Sequence, residues 1–243
     1  MNLNHKTAIV TGASSGLGAA IARKMAAAGA AVAVCYHANR TGAQQVVDEI
    51  RANGGEAVAV GVDITIPLQV QRMVAEVRAA FGRIDILVNN ASIYDNTPIL
   101  DLSEKTFDRV ISVNILGTSY CTKYVVLDML KNGGGVVVTV AGKSGHDARH
   151  GGGIAYTASK SASIGCTYCN AIDYGIQGVR FVTICPNIID TSIGGQIKEA
   201  QQKRFGMQYV ETLPYSTPQD VGKLAVFVAS DSAEYMHGSI VTV

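Results

Sequence analysis

Thr11-Gly12-Ala13-Ser14-Ser15-Gly16-Leu17-Gly18 follows a short apolar run, Thr7-Ala8-Ile9-Val10. It precedes a stretch in which Leu17, Ile21 and Met25 recur at helical spacing among alanines. The run before it reads as a buried strand, and the stretch after it as a helix packed on a sheet. The glycines therefore stand at a strand-to-helix turn. Gly12 and Gly16 can take backbone conformations closed to other residues, and Gly18 lets the helix come close to the strand. Such a turn aims backbone N–H groups and the positive end of a helix at one spot, which suits a phosphate. A tight loop that binds nothing is the alternative reading of three glycines alone.

The chain has 243 residues, 48% hydrophobic and only 16% charged, without repeats, low-complexity tracts or linkers. That composition suits one large α/β domain over residues 1–243, with some surface buried between subunits. A net charge of +1 gives no electrostatic case for nucleic acid or a membrane surface. No apolar run is read as approaching the roughly 20 residues of a membrane span, and Met1 to Lys6 lack the apolar core of a signal peptide. Cys35, Cys121, Cys166, Cys169 and Cys185 are an odd count placed mostly within expected strands and helices, which suits reduced thiols in the cytoplasm. Cys166 and Cys169 form a C-x-x-C without further ligands at suitable spacing, so no metal site is expected.

Strands and helices alternate down the chain. Ala31 to Tyr36 reads as a second strand, 42–53 as an amphipathic helix, and Glu56 to Val62 as a third strand ending at Asp63-Ile64. A helical rhythm over 67–81 leads to a fourth strand, Ile84 to Val88, which runs into Asn89-Asn90-Ala91-Ser92. A long helical region from about Glu104 to Lys131 carries Asn114, a polar residue that is costly there unless its amide is satisfied. Gly117 just after it is compatible with irregular helix geometry. Gly135 to Val140 is a β-branched strand. After an open, glycine-rich segment through Gly153, Tyr156-Thr157-Ala158-Ser159-Lys160 lies in a helix over 154–175. Gly178 to Cys185 is another strand, followed by Pro186-Asn187-Ile188-Ile189-Asp190-Thr191. Thr217 and Pro218 are the N-cap and first residue of a last helix, and Ile240 to Val243 the last strand. The alternation predicts a doubly wound Rossmann sheet of about seven parallel strands with helices on both faces.

Two places carry chemical choices. In nucleotide-binding folds the end of the second strand reads the adenosine ribose, and here Cys35, Tyr36, His37, Ala38, Asn39 and Arg40 include no carboxylate to repel a 2′-phosphate. Arg40 and His37 can neutralise that phosphate while Ser14 or Asn39 donates to it, which favours NADP(H) over NAD(H); an Arg40 that is merely solvated is the alternative. Further on, Tyr156 and Lys160 at i, i+4 share one face of a helix. A free tyrosine has a pKa of about 10, and a nearby positive charge favours phenolate, toward the range useful for acid–base catalysis near neutral pH.

Thr-Gly-x-x-x-Gly-x-Gly, then Asn-Asn-Ala, then Asn114, then Tyr-x-x-x-Lys, in that order, resembles the classical branch of the short-chain dehydrogenase/reductase family. The 3-oxoacyl-[acyl-carrier-protein] reductases are the nearest look, and the matches run from Thr11 to Thr191. The resemblance implies that Tyr156 gives a proton to a carbonyl, or takes one from an alcohol, while hydride moves from or to a nicotinamide. It implies that Lys160 lowers the tyrosine pKa and holds the nicotinamide ribose hydroxyls. Asn114 would kink its helix and help hold a water in the proton relay. Gly12, Ser14, Ser15, Gly16, Leu17 and Gly18 would meet the cofactor at the turn, and Asp63 and Ile64 would meet the adenine. Asn90 and Ala91 would border the cofactor, Asn89 would stabilise the central sheet, and Ile189 and Thr191 would orient the carboxamide.

Three positions depart from the family pattern. Ser92 and Asn187 stand where glycines are usual, and asparagine tolerates positive φ better than most residues. The serine that bonds the substrate carbonyl is also out of place. Its commonest spacing back from the tyrosine lands on Lys143, a longer loop puts it at Gly142, and a shorter one at Ser144. The strand register favours Ala141-Gly142 in place of the usual Ser-Ser pair, so the serine is either displaced to Ser144 or missing. If it is missing, Lys143 or a histidine is the alternative donor; losing such a donor can cost on the order of 100–1,000-fold in rate. His146, Asp147, Arg149 and His150 border the substrate or are solvated. A substrate lid is expected at about 190–213, with Gly194-Gly195 as hinge and Met207, Tyr209 and Leu213 as pocket candidates. Relatives often continue with Asp-Gly-Gly, so the chain is expected to end short. The expected function is interconversion of a small-molecule carbonyl and a secondary alcohol with NADP(H), in a homotetramer. The alternatives are a nucleotide-binding protein with little activity and an NAD-dependent alcohol or polyol dehydrogenase.

Overall fold

A computed structural model describes residues 1–147, 153–206 and 215–243. Arg149, His150, Met207, Tyr209 and Leu213 lie outside the described residues. The strands are β1 (Thr7–Val10), β2 (Ala31–Tyr36), β3 (Ala57–Gly61), β4 (Ile86–Asn89), β5 (Gly135–Val140), β6 (Val179–Cys185), β7 (Ile188–Ile189), β8 (Tyr215–Ser216) and β9 (Ser239–Thr242). Seven of them form one parallel sheet in the order β3-β2-β1-β4-β5-β6-β9, and β7 pairs with β8 separately. Their continuous Val, Ile and Ala content matches a sheet buried on both faces.

The helices are α1 (Gly16–Ala27), α2 (Arg40–Ala52), α3 (Pro67–Phe81), α4 (Glu104–Ile111), α5 (Thr118–Met129), α6 (Ile154–Tyr174), α7 (Ser192–Phe205) and α8 (Pro218–Ala229). On one face α1, α2 and α8 bury Ile21, Met25, Val47, Val221 and Val228. On the other, α3, α5 and α6 cover Met73, Cys121, Met129 and Phe181. The doubly wound plan expected from the alternation is the plan observed.

Local differences have local causes. Helix α2 starts at Arg40 rather than 42 because the Asn39 side chain accepts from the Gly42 N–H and caps it. Between α4 and α5 the backbone makes a π-helical turn, Ser112–Gly117, which contains Asn114. Gly117 is needed there, since a Cβ would come within 2.6 Å of the Ile64 side chain. The whole rod Glu104–Asn132 is long and apolar enough, by length and a mean hydropathy of 1.2, to cross a membrane. That corrects the expectation that no such run exists; here Cys121, Val125 and Met129 pack it onto the sheet.

The glycine pair 194–195 is not a hinge. It sits in the first turn of α7, and a Cβ on Gly194 would run into the Ile189 carbonyl oxygen. Asn187 does not use positive φ; among the described residues only His5 does so without being glycine. All five thiols are free, with Cys166 and Cys169 exposed on α6.

Candidate active site

The turn after β1 is locked to the end of β4. Thr11 Oγ1 accepts from the N–H groups of Asn90 and Ala91, both at 3.0 Å, and donates to the Val88 carbonyl at 3.3 Å. Asn90 Nδ2 donates back to the carbonyls of Thr11 (2.9 Å) and Gly12 (3.2 Å). Gly12 and Gly16 take φ of 63° and 55°, as only glycine readily does. A Cβ on Gly12 would lie 2.9 Å from Ala91 Cα, and one on Gly18 would collide with the Gly12 carbonyl and stand 2.5 Å from Asn90 Nδ2. The N-cap Ser15 makes no side-chain cap bond, so it leaves the first-turn N–H groups of α1 to a ligand. This cradle opens one end of a cavity of about 240 Å³, whose walls include Leu17, Ala91, Ser144, Tyr156, Ile189 and Thr191. The missing Cβ atoms, close backbone and helix N-terminus fit the diphosphate of a dinucleotide.

Ser14, His37, Asn39, Arg40, Asp63 and Ile64 lie apart from this cavity wall. Arg40 is exposed at the start of α2, and His37 Nε2 stands 3.7 Å from Asp63 Oδ2. Asp63 Oδ1 accepts from the Thr65 amide at 2.9 Å and the Thr65 hydroxyl at 2.7 Å. Partial burial works to raise the Asp63 pKa, but the Thr65 bonds and His37 outweigh it and hold the carboxyl below its ordinary value. Ile64 packs against Gly117.

Tyr156 and Lys160 are 6% and 5% exposed on the opening turns of α6. Lys160 Nζ donates to the Val140 carbonyl at 3.1 Å and stands 5.4 Å from the Tyr156 ring centroid. Burial brings the ammonium pKa down to about 8, against a small opposing pull from Cys185. Burial also pushes the Tyr156 phenol well above its ordinary value, and Tyr94 adds to the push. The expectation that Lys160 would draw the phenol down is not met: burial raises the phenol, and the ammonium is spent on the Val140 carbonyl.

Asn114 is buried with its amide fully engaged. Its Oδ1 accepts from the Ile93 N–H at 2.9 Å, and its Nδ2 donates to the Ile93 carbonyl and to Ser159 Oγ, both at 3.0 Å. Ser159 Oγ donates in turn to the Tyr156 carbonyl at 2.7 Å. Asn114 thus ties the loop after β4 to the helix that carries Tyr156. Asn89 reaches a helix instead, donating to Thr122 Oγ1 at 2.9 Å.

That same loop presents Tyr94, which the sequence reading did not single out. Its ring meets Tyr156 edge-on, with centroids 5.0 Å apart at 72°. Its buried hydroxyl has no hydrogen-bond partner among the described residues, and burial together with Asp95 pushes its pKa up to about 12. An isolated aromatic two residues past a motif carries no spacing signal, so only the fold reveals it.

Gly142 adopts φ 154°, ψ 154°, a region essentially reserved for glycine. A Cβ there would lie 4.0 Å from the Tyr156 hydroxyl and 3.4 Å from Ser144 Oγ. Ser144 comes from the 3₁₀ turn Lys143–Gly145, is 5% exposed and lines the cavity. The structure therefore brings Ser144 and Tyr156 together. Lys143 also lines the cavity, its N–H donating to the Pro186 carbonyl at 2.8 Å, whereas His146 is exposed. Thr191 caps α7 by accepting from the Gly194 N–H at 3.1 Å. Ser92 and Asn187 line the cavity as well.

A family model for short chain dehydrogenase matches residues 6–202. The 3-oxoacyl-[acyl-carrier-protein] reductase of Staphylococcus epidermidis is 31% identical over 242 residues, covering 98% of this chain and 97% of that protein. A solved 7α-hydroxysteroid dehydrogenase, complexed with NADH and 7-oxo glycochenodeoxycholic acid, is 33% identical with a TM-score of 0.90, covering 100% of this chain and 94% of that one. A short chain dehydrogenase from Burkholderia cenocepacia J2315 in complex with NADP is 33% identical with a TM-score of 0.89, covering 100% of this chain and 98% of that one.

Proposed function

The chain belongs to the short-chain dehydrogenase family, oxidoreductases that act on CH–OH groups with NAD(P), and from that premise we propose that it reduces a small-molecule carbonyl with NADPH. The observation that carries this reading is the pairing of buried Tyr156 and Lys160 on the wall of the same cavity that the glycine turn opens. The nicotinamide cofactor, when bound, supplies the hydride. Tyr156, held protonated by its burial, gives the proton to the carbonyl oxygen. Lys160, anchored on the Val140 carbonyl, holds ribose hydroxyls. Ser144 donates to the same carbonyl oxygen, from a turn that replaces a side chain at 142. Asn114 is a positioning residue that acts through Ser159 and Ile93.

Gly12, Ser15, Gly16, Leu17, Gly18, Asn90 and Ala91 hold the diphosphate and adjoining ribose, Ile189 and Thr191 the carboxamide, and Asp63 and Ile64 the adenine. Arg40, with His37, Ser14 and Asn39, favours the 2′-phosphate of NADP, since residues 35–40 at the end of β2 include no carboxylate to repel it. Exposed Leu116, Leu127, Tyr168, Ile172 and Ile176 supply apolar surface for a homotetramer, which light scattering tests. Five unpaired thiols suit a reducing compartment such as the cytoplasm.

Gly142 favours a second reading, a nucleotide-binding protein with little turnover. One experiment separates the two: oxidation of NADPH and NADH by the purified protein against β-keto esters, diketones and cyclic ketones, beside Tyr156→Phe. Turnover with NADPH that is lost in the variant supports the reductase. Tight NADPH binding with no turnover of any carbonyl, or of alcohols with NADP⁺, supports the second reading.

A further inference from the structure

Tyr156 carries its reactive oxygen at the far end of a ring, so a small rotation about χ1 moves that oxygen a long way. Lys160 stands over the ring, and Tyr94 meets it edge-on with centroids 5.0 Å apart. The reduction uses Lys160 and leaves Tyr94 without a role.

The backbone on both sides of Tyr94 is fastened to α6, the helix that carries Tyr156. Before it, Ile93 gives both its N–H and its carbonyl to Asn114, whose amide also reaches Ser159 on α6. After it, the Asp95 carbonyl accepts from the N–H of Gly153, the N-cap of α6, at 2.9 Å. The Asp95 carboxylate holds the next residues by accepting from the Thr97 amide at 2.9 Å and the Thr97 hydroxyl at 3.1 Å. A Cβ on Gly153 would come within 2.6 Å of the Thr97 carbonyl oxygen, so loop and helix touch directly. The Tyr94 ring therefore has a fixed place in the frame of α6.

Tyr94 also packs against Ile188 and Ile197, as Ile193 does; these three isoleucines line the cavity, and Tyr94 does not. It can reach the reaction through Tyr156 and not by touching a bound molecule. Its hydroxyl is buried and unmatched among the described residues, so the ring is what the contact uses. We propose that Tyr94 is a positioning residue for Tyr156: its ring, packed on the isoleucine wall and on the phenol, keeps the Tyr156 oxygen aimed at the substrate carbonyl. This rests on the ketoreductase reading and deepens it. Groups that do chemistry need rotamers locked by packing, and a displacement of about 1 Å can cost roughly 100-fold in rate.

The test sets Tyr94→Leu beside Tyr94→Phe, assayed with NADPH and whichever carbonyl the intact protein reduces. Leucine should lower kcat roughly 10–100-fold while the NADPH Kd stays within about twofold of the intact protein. The solvent deuterium isotope effect on kcat should rise in that variant, because the proton from Tyr156 becomes the slow step. A loss of structure alone does not raise it. Phenylalanine keeps the ring, so kcat and the isotope effect should return to within about twofold of the intact protein, and the melting temperature should rise as the unmatched hydroxyl is removed. Full turnover with leucine, an unchanged isotope effect, or a loss in NADPH Kd instead of kcat overturns the proposal. Phenylalanine as slow as leucine also overturns it, by giving the role to the hydroxyl. Tyr94→Met takes the place of leucine if leucine prevents folding. If the intact protein turns over no carbonyl, the ketoreductase reading fails by itself. The Tyr156 signal in ring-¹³C-tyrosine NMR, identified by its loss in Tyr156→Phe, then decides the positioning role. It should stay in place with phenylalanine at 94 and shift and broaden with leucine; an unchanged signal with leucine overturns the proposal.

Discussion

Replacing Lys160 with methionine should make the protein more stable at neutral pH while abolishing turnover. The ammonium is 5% exposed, and burial moves its pKa from 10.5 to about 8. A gap of that size corresponds to roughly 3 kcal/mol of penalty on the charged form. Below about pH 8 the folded and unfolded chains both carry the proton, and the fold bears the whole penalty. Between about 8 and 10.5 the folded chain binds fewer protons than the unfolded one, so stability rises with pH. Above 10.5 both states are neutral and the penalty is gone. Cys185, a titratable thiol beside Lys160, has its pKa raised by burial, so it does not supply a counter-charge at neutral pH.

Methionine keeps the length and loses the charge, but it leaves the Val140 carbonyl without its bond, at a cost of about 1 kcal/mol. The net gain is therefore about 2 kcal/mol near neutral pH, and it turns into a small loss once the wild-type amine is neutral. Urea unfolding of both proteins at about pH 7 and about pH 10, at one protein concentration, reads this directly. A stability difference that is the same at both pH values would refute the reasoning, because it would mean that packing and not charge sets the effect.

Further outcomes follow from other sites. Ser144→Ala should lower kcat on the order of 100–1,000-fold while leaving NADPH affinity unchanged; a loss of only a few-fold would remove Ser144 as the carbonyl donor. Gly194→Ala should lower the thermal midpoint, costing about 1–3 kcal/mol as the new Cβ meets the Ile189 carbonyl. Gly195→Ala next to it meets nothing within 4 Å and should instead stabilise α7, by about 0.5–1 kcal/mol. Midpoints that move together for the two alanines would contradict the packing argument. Arg40→Ala should raise the NADPH Kd roughly tenfold or more and barely change that of NADH; equal effects in titrations with both would sink the NADP assignment.

What the sequence made legible was chemistry set by nearest neighbours. The needs of Gly12, Gly16 and Gly18 follow from a strand-to-helix turn, and the alternation of β-branched runs with amphipathic stretches is enough to predict a doubly wound parallel sheet. Asn114 stood out because an amide within an apolar helix needs partners, and the fold supplies them in Ile93 and Ser159. What escaped depends on distances that local spacing does not encode. A glycine pair signals freedom and close contact alike, and only the approach of the Ile189 carbonyl to Gly194 decides between them. The sign of the shift at Tyr156 turns on how deeply the phenol is buried. The place of Ser144 turns on one backbone angle at Gly142. Tyr94 had no signal of its own and owes its position to the clamp that Asn114 puts on Ile93.

The two ends of the cavity differ in how they are made. At the glycine-turn end, Thr11 and Asn90 stitch the turn to the neighbouring strand using only protein groups, so its backbone is already set before any ligand arrives. The ordering entropy of a loop that must wrap a phosphate is met during folding instead of during binding. Substitutions at Thr11 or Asn90 therefore reach the melting temperature of the protein as well as whatever the turn holds.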